Sequence, residues 1–315
     1  MSLLTYFYIS IVAVVLLSSR AEQQRVLNYI DGYRSSFKYH QQGNVNLIIS
    51  APHGGSLTPN DLPDRKIGGC LRHSGMSAGL CTWWYNDTCT DGQRCNTTTV
   101  KDTLSDEFAE NVVNELDIQY ALKPYVVIGK WSRTKIDFNR EIQEATLNHP
   151  EAMNAHRHYH GNIQQAVDKI KLNFGKGLLL DIHGHSAGNY TMVGYLLTSD
   201  QLNRNDLNTL LVPTSIDLLC NSSREECIRG PNSFGTALES NQLGIAYPSL
   251  ANPKPGSLRF LSGGYITKNY ISGINAIQTE LPYDIRAGVN RRTHARNYAR
   301  AVVHFMKQNH LLLSK

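Results

Sequence analysis

Three short runs, Val45-Asn46-Leu47-Ile48-Ile49, Tyr125-Val126-Val127-Ile128 and Leu178-Leu179-Leu180, are apolar at almost every position instead of at every second one. A strand of that kind must be covered on both faces, which is the situation of a strand inside an α/β sheet. Helical patterns at about 103–122 and 150–174 separate the runs, and the alternation predicts an α/β fold. Residues 275–281 read as a further strand, and 291–311, rich in Ala, Val and Arg, as a closing helix. No repeat, low-complexity tract or long Pro/Gly linker divides the chain, so 22–315 is expected to be one domain. Its Gly-, Cys-, Asn- and Thr-rich stretch, about 68–99, is expected to be an insertion stapled by its own disulfides.

The amino terminus reads as a secretory signal over 1–21. Residues 3–17 are almost wholly apolar, too short for a comfortable bilayer span, and Ser19-Arg20-Ala21 puts small residues at a cleavage position. The stretch before them has no Lys or Arg, so an uncleaved anchor is the competing reading. Beyond the leader no apolar run reaches the length of a bilayer span, and no membrane association is expected after cleavage. Six cysteines agree with export. Cys70, Cys81, Cys89 and Cys95 form one cluster and Cys220 with Cys227 another, which favours a local Cys220–Cys227 bridge and two bridges within the first cluster, their pairing open. A four-cysteine zinc site would need paired C-x2-C knuckles, and none is present. Sequons at Asn86, Asn96, Asn189 and Asn221 mark a glycoprotein. The formal charge of +5, from 31 Lys and Arg against 26 Asp and Glu, is too small to imply nucleic acid.

In open α/β sheets reactive groups gather at strand ends. Two runs lead into histidine: Ser50-Ala51-Pro52-His53-Gly54-Gly55, and Asp181-Ile182-His183-Gly184-His185. Histidines flanked by glycines at matching strand ends suit a metal, the competing reading being hydrogen-bonded core histidines. Asp181 is placed to fix the ring of His183. A hydrolytic zinc site needs three protein ligands and an open position. H-x-x-E is absent, since Ser56 stands three residues past His53, so the best candidate carboxylate is Glu107, early in the helix at 103–122 beside Asp106, the competing reading for both being first-turn acids on the helix dipole. Ser132-Arg133 and Asn139-Arg140 follow the run at 125–128 and offer donors for a substrate carboxylate. Glu280 is a carboxylate on an apolar strand, suited to general-base work. His156 and His160 share a helical face at i, i+4, a chelating spacing that is read here mainly as a wet surface.

Pro52-His53-Gly54-Gly55, Ser132-Arg133 with Asp137-Phe138-Asn139-Arg140, Asp181-Ile182-His183-Gly184-His185, Gly263-Gly264-Tyr265-Ile266-Thr267 and Gln278-Thr279-Glu280 occur in an order that resembles the N-formylglutamate amidohydrolase family, relatives of the zinc carboxypeptidases. The resemblance spans about 44–307. It implies a mixed, mostly parallel central sheet flanked by helices, one zinc ion per chain and hydrolysis of an amide in a small acidic substrate. It also implies that His53 and His183 are metal ligands, with Glu107 as a weaker match, that Glu280 is the base, and that Asn139 and Arg140 hold a substrate carboxylate. Arg133 is assigned to oxyanion or substrate charge, and Tyr265 to the pocket. The expected function is a secreted zinc-dependent hydrolase of a small acylated amino acid or peptide end. The alternative is an extracellular matrix or binding protein that keeps the fold without turnover. A serine hydrolase is disfavoured because no G-x-S-x-G elbow is present.

Overall fold

A computed structural model describes residues 27–72, 79–84, 89, 93–220 and 223–312. The expected leader, Asn86 and Asn221 lie outside the described residues. Eleven strands occur among the described residues: β1 Ile30–Asp31, β2 Phe37–His40, β3 Leu47–Ala51, β4 Gly69–Leu71, β5 Cys81–Thr82, β6 Arg94–Cys95, β7 Tyr125–Gly129, β8 Leu178–Gly184, β9 Tyr190–Gly194, β10 Ile245–Tyr247 and β11 Asn275–Leu281. Eight of them form one sheet in the order β1-β2-β7-β3-β8-β11-β9-β10. The centre, β7-β3-β8-β11, is parallel, while β2 on β7 and β9 on β11 run antiparallel. This is the mixed, mostly parallel sheet flanked by helices that was expected.

The period-2 alternation of each strand sorts its side chains between two cores. On β8, Leu178, Leu180 and Ile182 join the core built with Phe108, Val112 and Leu116 of helix Ser105–Tyr120 and with Tyr298, Val302 and Phe305 of helix Arg291–Gln308. Leu179 joins the opposite core, with Ala155, Tyr159, Ile163 and Ile170 of helix Pro150–Phe174. Asp181 and His183 continue the face of Leu179. On β11 the same alternation puts Ile277 and Leu281 in the first core and Ala276 in the second, so Gln278 and Glu280 share the face of His183.

From β3 the chain returns through helix Ser105–Tyr120 to β7 on one side, and then through helix Pro150–Phe174 to β8 on the other side of β3. The two crossovers cover opposite sheet faces. The boundary between β3 and β8 is therefore a topological switch point, where the loops leaving the carboxyl ends of two neighbouring strands part to opposite sides and leave a crevice. His53 follows β3 by two residues, and His183 stands near the end of β8.

The insertion carries the three-stranded sheet β5-β4-β6, closed by Cys70–Cys89 and Cys81–Cys95, while Cys220–Cys227 is local. That agrees with the two-cluster layout. Among the described residues no helix is long and apolar enough to cross a membrane.

Candidate active site

His53, Asp102 and His183 meet at the switch point, all three buried, with one ligand atom from each lying within 4.8 Å of the others. Each imidazole has its far nitrogen fixed by a carboxylate. His53 Nε2 donates to Asp137 Oδ1 at 2.6 Å, and His183 Nε2 donates to Asp181 Oδ2 at 2.8 Å. A neutral ring that donates from Nε2 keeps a lone pair on Nδ1, the arrangement by which outer carboxylates prepare histidines for a metal. Asp137 is held by Arg133 Nε at 2.8 Å and by its own loop through Asn139 N at 2.9 Å. Asp181 is held by the Ser50 hydroxyl.

The two Nδ1 atoms converge on Asp102 Oδ2, at 3.0 Å from His183 and 3.5 Å from His53. Bonds of 2.0–2.1 Å to a tetrahedral zinc put neighbouring ligand atoms about 3.3 Å apart, so these spacings suit one small cation. His53 Nδ1 is buried and has no hydrogen-bond partner, a loss on the order of 1–3 kcal/mol unless something accepts its lone pair. Asp102, Asp137, Asp181 and Glu280 make four buried carboxylates, against the buried guanidiniums of Arg65, Arg133 and Arg286. A divalent cation offsets the excess negative charge. The donor set and its electrostatics therefore fit a metal ion.

Asp102 is the member of this group that sequence reading missed. It lies in the segment leaving the insertion, clipped by its own N–H to the His53 carbonyl at 3.1 Å and by its carbonyl to Ser105 N at 3.0 Å. Gly54 makes this possible, because a Cβ there would overlap the backbone nitrogen of Asp106 and push the start of helix Ser105–Tyr120 away from the His53 loop. The signal in the sequence is an acid just before a helical pattern, and a helix-start acid is the commoner meaning of that signal. Burial favours the neutral form of Asp102, but the nearness of the His183 and His53 imidazoles outweighs it and lowers its pKa.

Glu107 is not part of the group. Helix Ser105–Tyr120 turns Phe108, Ala109, Val112 and Leu116 inward, and that phase leaves Glu107 exposed, sharing a surface cavity with Glu110, Lys130, Arg291 and Arg292. Asp102 occupies the place expected of it.

Glu280 lies across the β8–β11 ladder from His183. It is buried, and burial raises its pKa to about 7, with the charges of Asp102 and Asp181 adding to the effect and those of His183 and Arg133 opposing it. Gln278 Nε2 donates to Glu280 Oε1 at 2.9 Å, and Gln278 Oε1 accepts from Asn139 Nδ2 at 3.4 Å. Asn139 also accepts from Ile266 N through Oδ1 at 2.7 Å, so both ends of its amide are committed to the protein. In this structure it braces Gln278 and, through it, the carboxylate of Glu280. Arg140 is only partly buried, with Nε on Glu144 at 3.1 Å and Nη1 on the Asn139 carbonyl. Both side chains therefore have partners within the protein. Arg133 stands beside the group, with Nη1 3.9 Å from Asp102 Oδ1 and donating to the Val100 carbonyl.

Tyr265 is placed against the rings of His160 and His156. Those two histidines are no wet face. His156 is buried and donates to the Arg140 carbonyl at 3.0 Å, and His160 donates to the Phe138 carbonyl at 2.9 Å, so they clip the Phe138–Arg140 loop to helix Pro150–Phe174. Burial lowers the pKa of both, to about 4 for His156. His185 has Nε2 on the Tyr190 carbonyl and Nδ1 on Ala187 N, and serves the turn after β8. Asn96 and Asn189 are exposed.

A scan of family models finds none that matches the chain, and a search of curated proteins finds no match. Solved structures do resemble it. N-formylglutamate amidohydrolase from Ralstonia eutropha is 13% identical, over 85% of this chain and 97% of that one, with a TM-score of 0.47. A metallo-carboxypeptidase from Pseudomonas aeruginosa is 11% identical over 94% of this chain and 68% of that one, with a TM-score of 0.39. A metallo-carboxypeptidase from Burkholderia cenocepacia is 13% identical over 92% and 67%, with a TM-score of 0.40. The chain is thus similar in overall structure to an amidohydrolase and to metallo-carboxypeptidases.

Proposed function

We propose that this chain is a secreted zinc-dependent amidohydrolase acting on a small acylated amino acid or a peptide end. The observation that carries the reading is the convergence of His53 Nδ1, His183 Nδ1 and Asp102 Oδ2, each ring buttressed by a carboxylate, beside a buried Glu280. Two imidazoles and one carboxylate are a donor set of catalytic zinc sites, which keep a further position open. Zinc bound there supplies Lewis acidity toward an amide carbonyl and toward water.

The remaining steps belong to side chains of this chain. Glu280, with its pKa near 7, takes a proton from water as the oxygen attacks the carbonyl carbon. As the C–N bond breaks it returns that proton to the leaving nitrogen, which departs as a neutral amine. Asn139 and Gln278 hold the carboxylate in place for both transfers. Arg133 is tied to Asp137 and orients His53 through it. The three disulfides suit a protein that works outside the cell.

The test begins with zinc content of the purified protein, expected at about one per chain, followed by a hydrolysis screen of N-acyl amino acids and short peptides. Glu280→Gln should keep the zinc and a melting temperature within a few degrees while losing roughly 10²-fold or more of the rate. A native protein that binds zinc and hydrolyses none of these amides would support the binding-protein alternative. An unaltered rate in Glu280→Gln would remove the base.

A further inference from the structure

Four arginines are buried among the described residues: Arg65, Arg133, Arg229 and Arg286. Three of them donate to protein acceptors. Arg65 donates to the carbonyls of Thr98, Arg133 and Glu144. Arg133 binds Asp137 and the Val100 carbonyl. Arg229 binds both oxygens of Glu225 and the carbonyls of Leu202, Arg204, Asn205 and Pro253. Arg286 differs from all three. It is 4% exposed, its Nε and Nη1 are buried with no hydrogen-bond partner, and it takes part in none of the ion pairs among the described residues. A buried guanidinium left without acceptors is costly, and elsewhere this fold avoids the arrangement.

The position of Arg286 is set by the site. It closes the short helix Tyr283–Arg286 that follows β11, six residues beyond Glu280. Its Nε, Cδ and Cζ lie against Gly184, in the space a side chain at 184 would fill. Gly184 adjoins His183, and its own N–H donates to Asp102 Oδ2 at 3.1 Å. The exposed ring of Tyr283 also lies against the guanidinium, its centroid 5.6 Å from Arg286 Cζ. The charges of Asp102 and Glu280 both act on Arg286, yet neither carboxylate bonds to it.

We infer that Arg286 is the residue that receives a carboxylate of the substrate, so that the hydrolysed amide carries an anionic group next to the scissile bond. This deepens the amidohydrolase reading and rests on it for the identity of the bond. A carboxylate is the acceptor whose planar geometry matches the guanidinium fork, and Arg140, expected from sequence to do this work, already has Nε on Glu144 and Nη1 on the Asn139 carbonyl. The carboxylate could belong to the amine part of the substrate, as in an N-acyl amino acid, or to its acyl part.

Three probes separate these cases: N-acetyl-L-alanine, N-succinyl-L-alaninamide, and the uncharged N-acetyl-L-alaninamide. Binding is measured by calorimetry to the zinc-loaded and the zinc-free full chain, native and Arg286→Gln. One carboxylate probe is expected to bind at least tenfold more tightly than the amide, to lose that advantage in Arg286→Gln, and to do so in both metal states, which also identifies the side of the amide that bears the anion. Equal affinity of native and variant for the carboxylate probes, or no preference over the amide in the native chain, overturns the inference. If Arg286→Gln does not fold, Arg286→Lys keeps the charge without the fork, and native-like carboxylate affinity in it overturns the inference equally. Absence of zinc uptake by the native protein counts against the amidohydrolase reading alone, since the carboxylate preference is read on the zinc-free chain as well.

Discussion

Asp181 and His183 stand two residues apart on β8, and because strand side chains repeat every second residue they rise from the same face and bond, His183 Nε2 to Asp181 Oδ2 at 2.8 Å. The bond decides which nitrogen of His183 remains for a metal. It holds the proton on Nε2 and turns the lone pair of Nδ1 toward Asp102, 3.0 Å away. Asp137 does the same for His53 from another loop. Asp181→Asn should therefore weaken zinc binding about 10–100-fold in a chelator competition. The native affinity in that variant would show that the tautomer is fixed by something else.

The ligand set separates Asp102 from Glu107. Asp102→Asn is expected to lose stoichiometric zinc, because a three-ligand site that drops its only carboxylate keeps neither charge nor geometry. Glu107→Ala, an exposed change, should retain about one zinc per chain and shift stability by no more than about 0.5 kcal/mol. Zinc analysis after dialysis distinguishes them, and loss of zinc from Glu107→Ala would reverse the assignment.

Acid should loosen the Phe138–Arg140 loop. Burial depresses His156 to about 4, although the Arg140 carbonyl and Asp137 act the other way, and His160 is also depressed. The unfolded chain takes the proton near 6.5, so between about pH 6.5 and pH 4 it binds more protons than the folded chain. Stability is complete above that window and is lost as pH falls through it, by about 3 kcal/mol for His156. Urea unfolding across the range should show a shallower acid limb in His156→Gln. An unchanged limb would exclude His156 as its source.

The disulfides of the insertion should couple to the metal. Asp102 leaves that insertion, and Thr97, Thr98 and Val100, between Cys95 and Asp102, are pinned to Arg65 and Arg133. Closing chains of 14 and 19 residues constrains the unfolded state by about 3 kcal/mol each. Cys81→Ser with Cys95→Ser should lower stability by roughly that amount and weaken zinc binding as well, whereas Cys220→Ser with Cys227→Ser should cost about 2 kcal/mol and leave zinc unaffected. Equal zinc affinity in both double variants would separate the insertion from the site.

Much of this was legible in the chain, because the decisive signals were local. Strands apolar on both faces announced a covered sheet, and β3, β7 and β8 formed there. A histidine just past such a strand, beside glycine, lies at a carboxyl end of the sheet wherever that strand is placed, so His53 and His183 were visible as a pair and Glu280 as a carboxylate on a covered strand. The cysteine clusters foretold bridges because short loops close most readily.

The tertiary structure decided what depends on contacts between distant segments. Asp102 belongs to no strand and no helix, and only the clip of its N–H to the His53 carbonyl brings it beside the two histidines. Glu107 looked equivalent in sequence, but its helical phase, set by Phe108 and Val112 packing inward, carried it to the surface. Arg140 and Arg286 are both arginines beside a motif. Which of them is spent on a neighbour and which is left with unfilled donors follows from what the fold brings against each, because a guanidinium is satisfied by whatever acceptors lie within about 3 Å and the sequence does not list them.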